Sequence, residues 1–110
     1  MLAVDLELLI PDRLVRYLAR PLALEFAESL AEFFLKGASD AIPEQTVPTI
    51  ENEQSGLAVL INQSTPLSVT LEVAILTDLE GDVPEHDGVA FDVPRSALIN
   101  AAHALKEWSA

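Results

Sequence analysis

The stretch Pro21 to Lys36, PLALEFAESLAEFFLK, constrains the fold of this chain more than any other. Wound at about 100° per residue, its apolar side chains sweep roughly 220° of a helix surface. Glu25, Glu28, Ser29, Glu32 and Lys36 crowd into the remaining strip. A helix lying on a domain surface needs an apolar stripe of little more than about 100°. This one therefore needs cover on two sides. The flank carrying Phe26, Leu30 and Phe33 should pack on a sheet. The flank carrying Leu24, Ala27, Ala31 and Phe34 needs a second helix or a second subunit. Gly37 is placed to end the helix as its C′ residue, with Lys36 complementing the negative helix end.

Ahead of this helix, Leu2, Val4, Leu6 and Leu8 alternate with Ala3, Asp5 and Glu7, a period-2 strand pattern. Leu2, Leu6 and Leu9 fit a helix as well. Pro11 suits a first helical position and Asp12 the positive helix end, so a short helix is expected over 11–19. Its buried side would be Leu14, Val15 and Leu18, and its other side a row of Arg13, Arg16 and Arg20. Pro21 then restarts the chain as a second helix or kinks a continuous one.

Residues 38–56 hold Pro43, Pro48, Gly56 and four acids, which reads as a long connection with a short extended piece at Val47 to Ile50. Beyond it, Leu57 to Asn62 is a strand and Asn62 to Pro66 a turn. In Leu67 to Thr77, Leu67, Val69, Leu71, Val73 and Ile75 alternate with smaller or polar residues, the clearest strand pattern in the chain. Val89 to Val93 gives a third strand. Pro94 opens a last helix over 94–108, with Leu98, Ala101, Ala102, Leu105 and Trp108 buried and Ser96, Asn100, His103 and Glu107 wet. The expected architecture is one α+β domain of two layers. Its three-stranded antiparallel sheet runs 57–62, 67–77, 89–93, with the long strand in the middle and two or three helices on one face. An extra N-terminal strand is allowed for.

Composition narrows the function. A chain of 110 residues with formal charge −12 is poorly suited to contact phosphates or an anionic lipid surface. Residues 37–110 carry twelve acids against Arg95 and Lys106 alone, while Arg13 to Arg20 hold half of all basic residues. There is no cysteine, hence no disulfide framework, thiolate metal site or thiol nucleophile. No uncharged apolar run reaches about 18 residues, and Met1 to Asp5 lacks a basic leader region, so no membrane span or signal peptide is expected. The cytoplasm, or a virion interior for a phage protein, is the expected location. Half the residues are hydrophobic, which leaves apolar surface for a partner.

Candidate chemistry is thin. The acids of Asp78 to Gly88 sit at alternate positions, as hard cations favour, but the glycine and glutamate of an EF-hand loop would fall on Val83 and Val89. The loop reads as solvated, held open by like charges, and free of bound metal. His86 between Glu85 and Asp87, and His103 four residues from Glu107, are each too few for a site. No P-loop, GxGxxG or GxSxG is present. No metal, cofactor or catalytic residue is therefore expected, and the expectation is a non-enzymatic interaction or assembly subunit. It would self-associate, as a homo-oligomer, or dock on a larger protein. Its candidate contacts are Phe34 on the wide helix, Trp108 near the C-terminus, and Arg13, Arg16 and Arg20 as a patch for acidic protein surface. The other reading is an acidic inhibitor that imitates nucleic acid and fills a basic groove. Its surplus acids lie mostly in loops, rather than along one surface at phosphate-like spacing.

Overall fold

The computed structural model describes residues 2–10, 12–39, 47–64, 67–77, 79 and 85–110. The element order is β1 (Leu2–Ile10), β2 (Arg13–Leu22), α1 (Leu24–Ser39), β3 (Thr49–Asn52), β4 (Leu57–Ser64), β5 (Ser68–Leu76), β6 (His86–Pro94) and α2 (Arg95–Ser109). β1 and β2 form an antiparallel hairpin, and β3-β4-β5-β6 form a second antiparallel sheet in sequence order, a meander. The protein is thus α+β, with two sheets and two helices where the sequence pattern predicts one three-stranded sheet. The expected strand order holds: β5 lies between β4 and β6. The extended piece after the long connection is β3, an edge strand added to the three. β4 continues past Asn62 to Ser64, and Thr65 and Pro66 of the expected turn lie outside the described residues.

The largest departure from expectation is at 11–19. Among its described residues the segment forms no helix; from Arg13 it runs into strand β2. Propensity alone admits both states, since Leu and Arg favour helix while Val15 and Tyr17 favour strand. Tertiary pairing decides. As a strand, the segment satisfies its backbone against β1, in a register that sets Leu8 opposite Val15 and Leu6 opposite Tyr17. Pro21 sits at the end of that strand, and the helix begins at Leu24. Gly37 lies inside the helix instead of beyond it. A Cβ there would sit 2.5 Å from the Ile61 Cδ1 methyl, so the missing side chain lets the last turns of α1 approach β4 closely. The end of the helix is capped from a distance, by Arg95 donating to the carbonyls of Gly37 (3.2 Å) and Ala38 (2.7 Å).

One face of the meander carries the core. Val59 and Ile61 of β4 and Val69, Leu71 and Ile75 of β5 are buried on it, at even spacings along each strand. The pair α1 and α2 covers one end of this face: Phe26, Leu30 and Leu98, joined by Leu22 at the end of β2, pack with Val59, Ile61, Val69 and Leu71. The hairpin covers the other end: Leu8 and Tyr17 pack with Ile75, flanked by Leu57, Val73 and Val89. α2 lies alongside α1, and on the second flank of α1 Ala27 and Ala31 are buried while Leu24 is exposed. Lys106 Nζ meets Glu32 Oε1 at 2.6 Å on the outside of that contact. Among the described residues, no helix is long and apolar enough to cross a membrane.

Candidate functional site

The two faces of the β1–β2 hairpin differ in an unusual way. Its inner face is apolar, as core packing requires. Its outer face sets exposed leucines among the charged Asp5, Glu7 and Arg16. Leu9 is 74 % exposed, Leu18 66 % and Leu14 53 %. Leu9 and Leu14 stand directly opposite each other across the two strands. Further along, Glu7 stands opposite Arg16, and Arg16 Nη2 meets Glu7 Oε1 at 2.7 Å, both side chains about half exposed. An exposed pair of this kind adds well under about 1 kcal/mol of stability. The opposite face of the meander, by contrast, carries Thr49, Ala58, Leu60, Thr70, Glu72, Ala90 and Asp92, with Asn62 donating to Glu72 (2.8 Å).

The bulge in the hairpin explains how the arginines separate. Alternation turns Val15 and Tyr17 inward and Leu14, Arg16 and Leu18 outward. Between Val4 and Leu6 the register slips, and Ala19 takes a left-handed backbone with φ 54°. Its amide donates to Asp5 Oδ1 at 3.0 Å. The extra residue resets the alternation, so Arg20 and Leu22 point inward.

Arg20 is buried. Its Nη1 donates to the Ser55 carbonyl (2.8 Å), and its Nη2 donates to those of Leu76 (2.7 Å) and Thr77 (3.3 Å). The guanidinium carbon lies 5.0 Å from the Tyr17 ring centroid, in cation–π range. Arg20 thus ties the hairpin to the β3–β4 turn and the end of β5. Tyr17 is tied to the far side of the meander through its hydroxyl, which donates to the Asp87 carboxylate. Burial, then that hydrogen bond and the negative charge of Asp87, push its pKa up to about 12, with Arg20 and Arg13 opposing.

The expected row of three arginines does not exist as a patch. Arg13 is exposed at the turn end of the hairpin opposite Ile10, Arg16 is paired on the outer face, and Arg20 is interior. A spacing of three and four residues aligns side chains on a helix, not on a strand. Phe34 is half-buried against the main core and meets Phe33 at a 6.2 Å centroid distance, so it supports the fold more than it offers a contact. Trp108, expected on the buried face of α2, is 49 % exposed. It stands at the rim of a groove of about 570 Å³ floored by Val4, Leu6, Leu22, Phe26 and Leu105.

Of the acidic loop, Asp78, Glu80 and Asp82 lie outside the described residues. Glu85 is exposed, whereas Asp87 is half-buried and engaged by Tyr17, which corrects its expected place in solvent. His86, His103 and Glu107 are exposed, and no group of three metal-ligating side chains occurs among the described residues. The outer hairpin leucines escape a reading by sequence because two of them also fit the buried side of a helix. The strand alternation Leu14-Val15-Arg16-Tyr17-Leu18, set against that of residues 2–8, is the signal that places them outside. No family model, curated protein or solved structure matches this chain.

Proposed function

We propose that this protein is a non-enzymatic interaction or assembly subunit, and that the outer face of the β1–β2 hairpin is its contact surface. The observation that carries the reading is the set Leu9, Leu14 and Leu18, more than half exposed on one face of one regular element. Scattered surface leucines are ordinary; leucines aligned on one rigid sheet face are a feature of docking surfaces. The hairpin is pinned from behind by Leu8, Tyr17 and Arg20, so its outer face is presented without an ordering cost. The acidic-inhibitor reading has less support. Glu25, Glu28 and Glu32 are exposed in a row on α1, but Glu32 is bridged to Lys106.

A photo-crosslinking residue in place of Leu18, introduced in the native host, should join the chain to one discrete protein species. The same residue in place of Thr70, on the outer face of the meander, should not. Equal capture at both positions, or none at Leu18, would overturn the assignment of this surface.

A further inference from the structure

Resting on that reading of the hairpin, we propose that its partner is a second copy of this chain. The two copies would pack outer face to outer face about a two-fold axis that runs along the hairpin midway between its strands. Under that operation β1 of one copy lies over β2 of the other. Each Glu7 then faces an Arg16 of the second copy, and each Leu9 faces a Leu14, because Glu7 is opposite Arg16 and Leu9 opposite Leu14 within the hairpin itself. The two intramolecular ion pairs become a ring of four alternating charges, flanked by four leucines that leave water together. A two-fold axis crossing the strands at that level would instead set Glu7 over Glu7 and Arg16 over Arg16.

Charge selects the partner. At a formal charge of −12, two copies repel over most of their surfaces. On the outer hairpin the charges are mostly paired: Arg16 neutralises Glu7, and Asp5 accepts from the Ala19 amide. A strongly basic partner would be drawn to the exposed glutamates of α1 rather than to this face, where the charges are mostly paired. The area sets the strength. Strands of nine and ten residues present a face of about 30 Å by about 10 Å, well short of the roughly 800 Å² per partner of a standard interface. The association is therefore weak, reversible and concentration-dependent.

The test is sedimentation equilibrium on the full chain from about 10 µM to about 1 mM. The wild type should pass from monomer to dimer across that range. Glu7→Arg and Arg16→Glu should each stay folded by circular dichroism and each associate at least roughly tenfold more weakly, since like charges now face each other. Mixed in equal amounts, the two variants should recover the dimer as a heterodimer, because the paired arginines of the first then meet the paired glutamates of the second. Leu14→Asp should abolish association and be rescued by neither. A wild type that stays monomeric at about 1 mM, or folded charge variants that fail to pair when mixed, would overturn the second-copy assignment. Capture of a different protein at Leu18 would leave the hairpin as a contact surface and remove only this partner; no capture at all would remove both.

Discussion

The hairpin and the meander are both antiparallel sheets with one face on the core, yet their outer faces are built for different surroundings. The meander buries Val59, Val69 and Leu71 and turns Thr70, Glu72 and Asp92 outward beside Ala58, Leu60 and Ala90, so the strongly exposed large apolar side chains are not concentrated there. The hairpin is different. Leu8 and Tyr17 are buried, yet Leu9, Leu14 and Leu18 stand in solvent on the other side. A two-stranded ribbon alone is marginal in water, and this one is held by its inner contacts and by Arg20. Its outer leucines are not needed for that attachment. On the proposed reading, these side chains serve a contact with a partner.

The sharpest way to break this contrast is one substitution on each side of it. Leu71→Asp puts an unpaired carboxylate among Ile61, Val69 and the helix pair and should cost on the order of 4 kcal/mol or more, enough to unfold the domain. Leu14→Asp should leave the melting temperature within a few degrees of wild type, because exposed positions away from special features change stability by about 0.5 kcal/mol or less. Thermal melts of the two variants decide it. A Leu14→Asp protein that unfolds would make the outer leucines part of the core after all.

The joint between the two regions comes next. Arg20→Met keeps the apolar stem but takes the guanidinium away from the carbonyls of Ser55, Leu76 and Thr77, and should cost about 3 kcal/mol in urea unfolding. On the other side of the joint is Gly56, with φ 78°. A Cβ there would lie 2.9 Å from both Arg20 Nη1 and Leu76 Cβ. Gly56→Ala should therefore cost about 2 kcal/mol, from left-handed strain and the displacement of Arg20 together. If both variants unfold at the wild-type urea concentration, the joint is incidental and the hairpin is held by apolar contact alone.

Much of the fold is legible in the residues. The alternation over 67–77 and the amphipathic run from Leu98 to Trp108 each have one interpretation, and β5 and α2 stand where those patterns put them. The hairpin is harder for a physical reason. In RLVRYLAR the apolar positions satisfy both periods, and the arginine spacing imitates a helix face. Only the cross-strand partner chooses between them, and for Arg16 that is Glu7, reached around a turn whose geometry local pattern does not set. The proposed contact surface is hidden for the same reason: a helical reading of 11–19 turns Leu14 and Leu18 inward, and only the strand alternation turns them out.

Tyr17 offers a finer probe, being the only tyrosine in the chain. Its phenol ordinarily titrates near 10 and here is held up to about 12, so the folded state keeps the proton more tightly than the unfolded one. Its contribution is fully present below about pH 10 and is lost as pH rises towards about 12. Tyr17→Phe should cost about 1 kcal/mol at pH 8 by removing the hydrogen bond to Asp87. That gap should narrow above about pH 10 and close near 12. Tyrosinate absorbance of the wild type follows the same group directly, and a titration midpoint near the ordinary 10 would show the hairpin to be loosely seated on β6.

The smallest effect expected is a gain, and it tests what the bulge does. Ala19 occupies a left-handed conformation that strains any residue with a Cβ by about 1 kcal/mol or somewhat more. Glycine removes that strain but adds freedom to the unfolded chain worth about 0.5 to 1 kcal/mol. Ala19→Gly should therefore stabilise the protein by about 0.5 kcal/mol, raising the melting temperature by about 2 °C. Because the bulge turns Arg20 in and leaves Leu18 out, a variant that favours it should also leave the proposed dimer at least as strong as wild type. The mirror of Gly56→Ala is instructive: both residues have positive φ, one in each region, and only the meander uses the residue type that the conformation prefers. If Ala19→Gly weakens association while stabilising the fold, the rigidity of the bulge, and not merely its shape, holds the outer face in register for its partner.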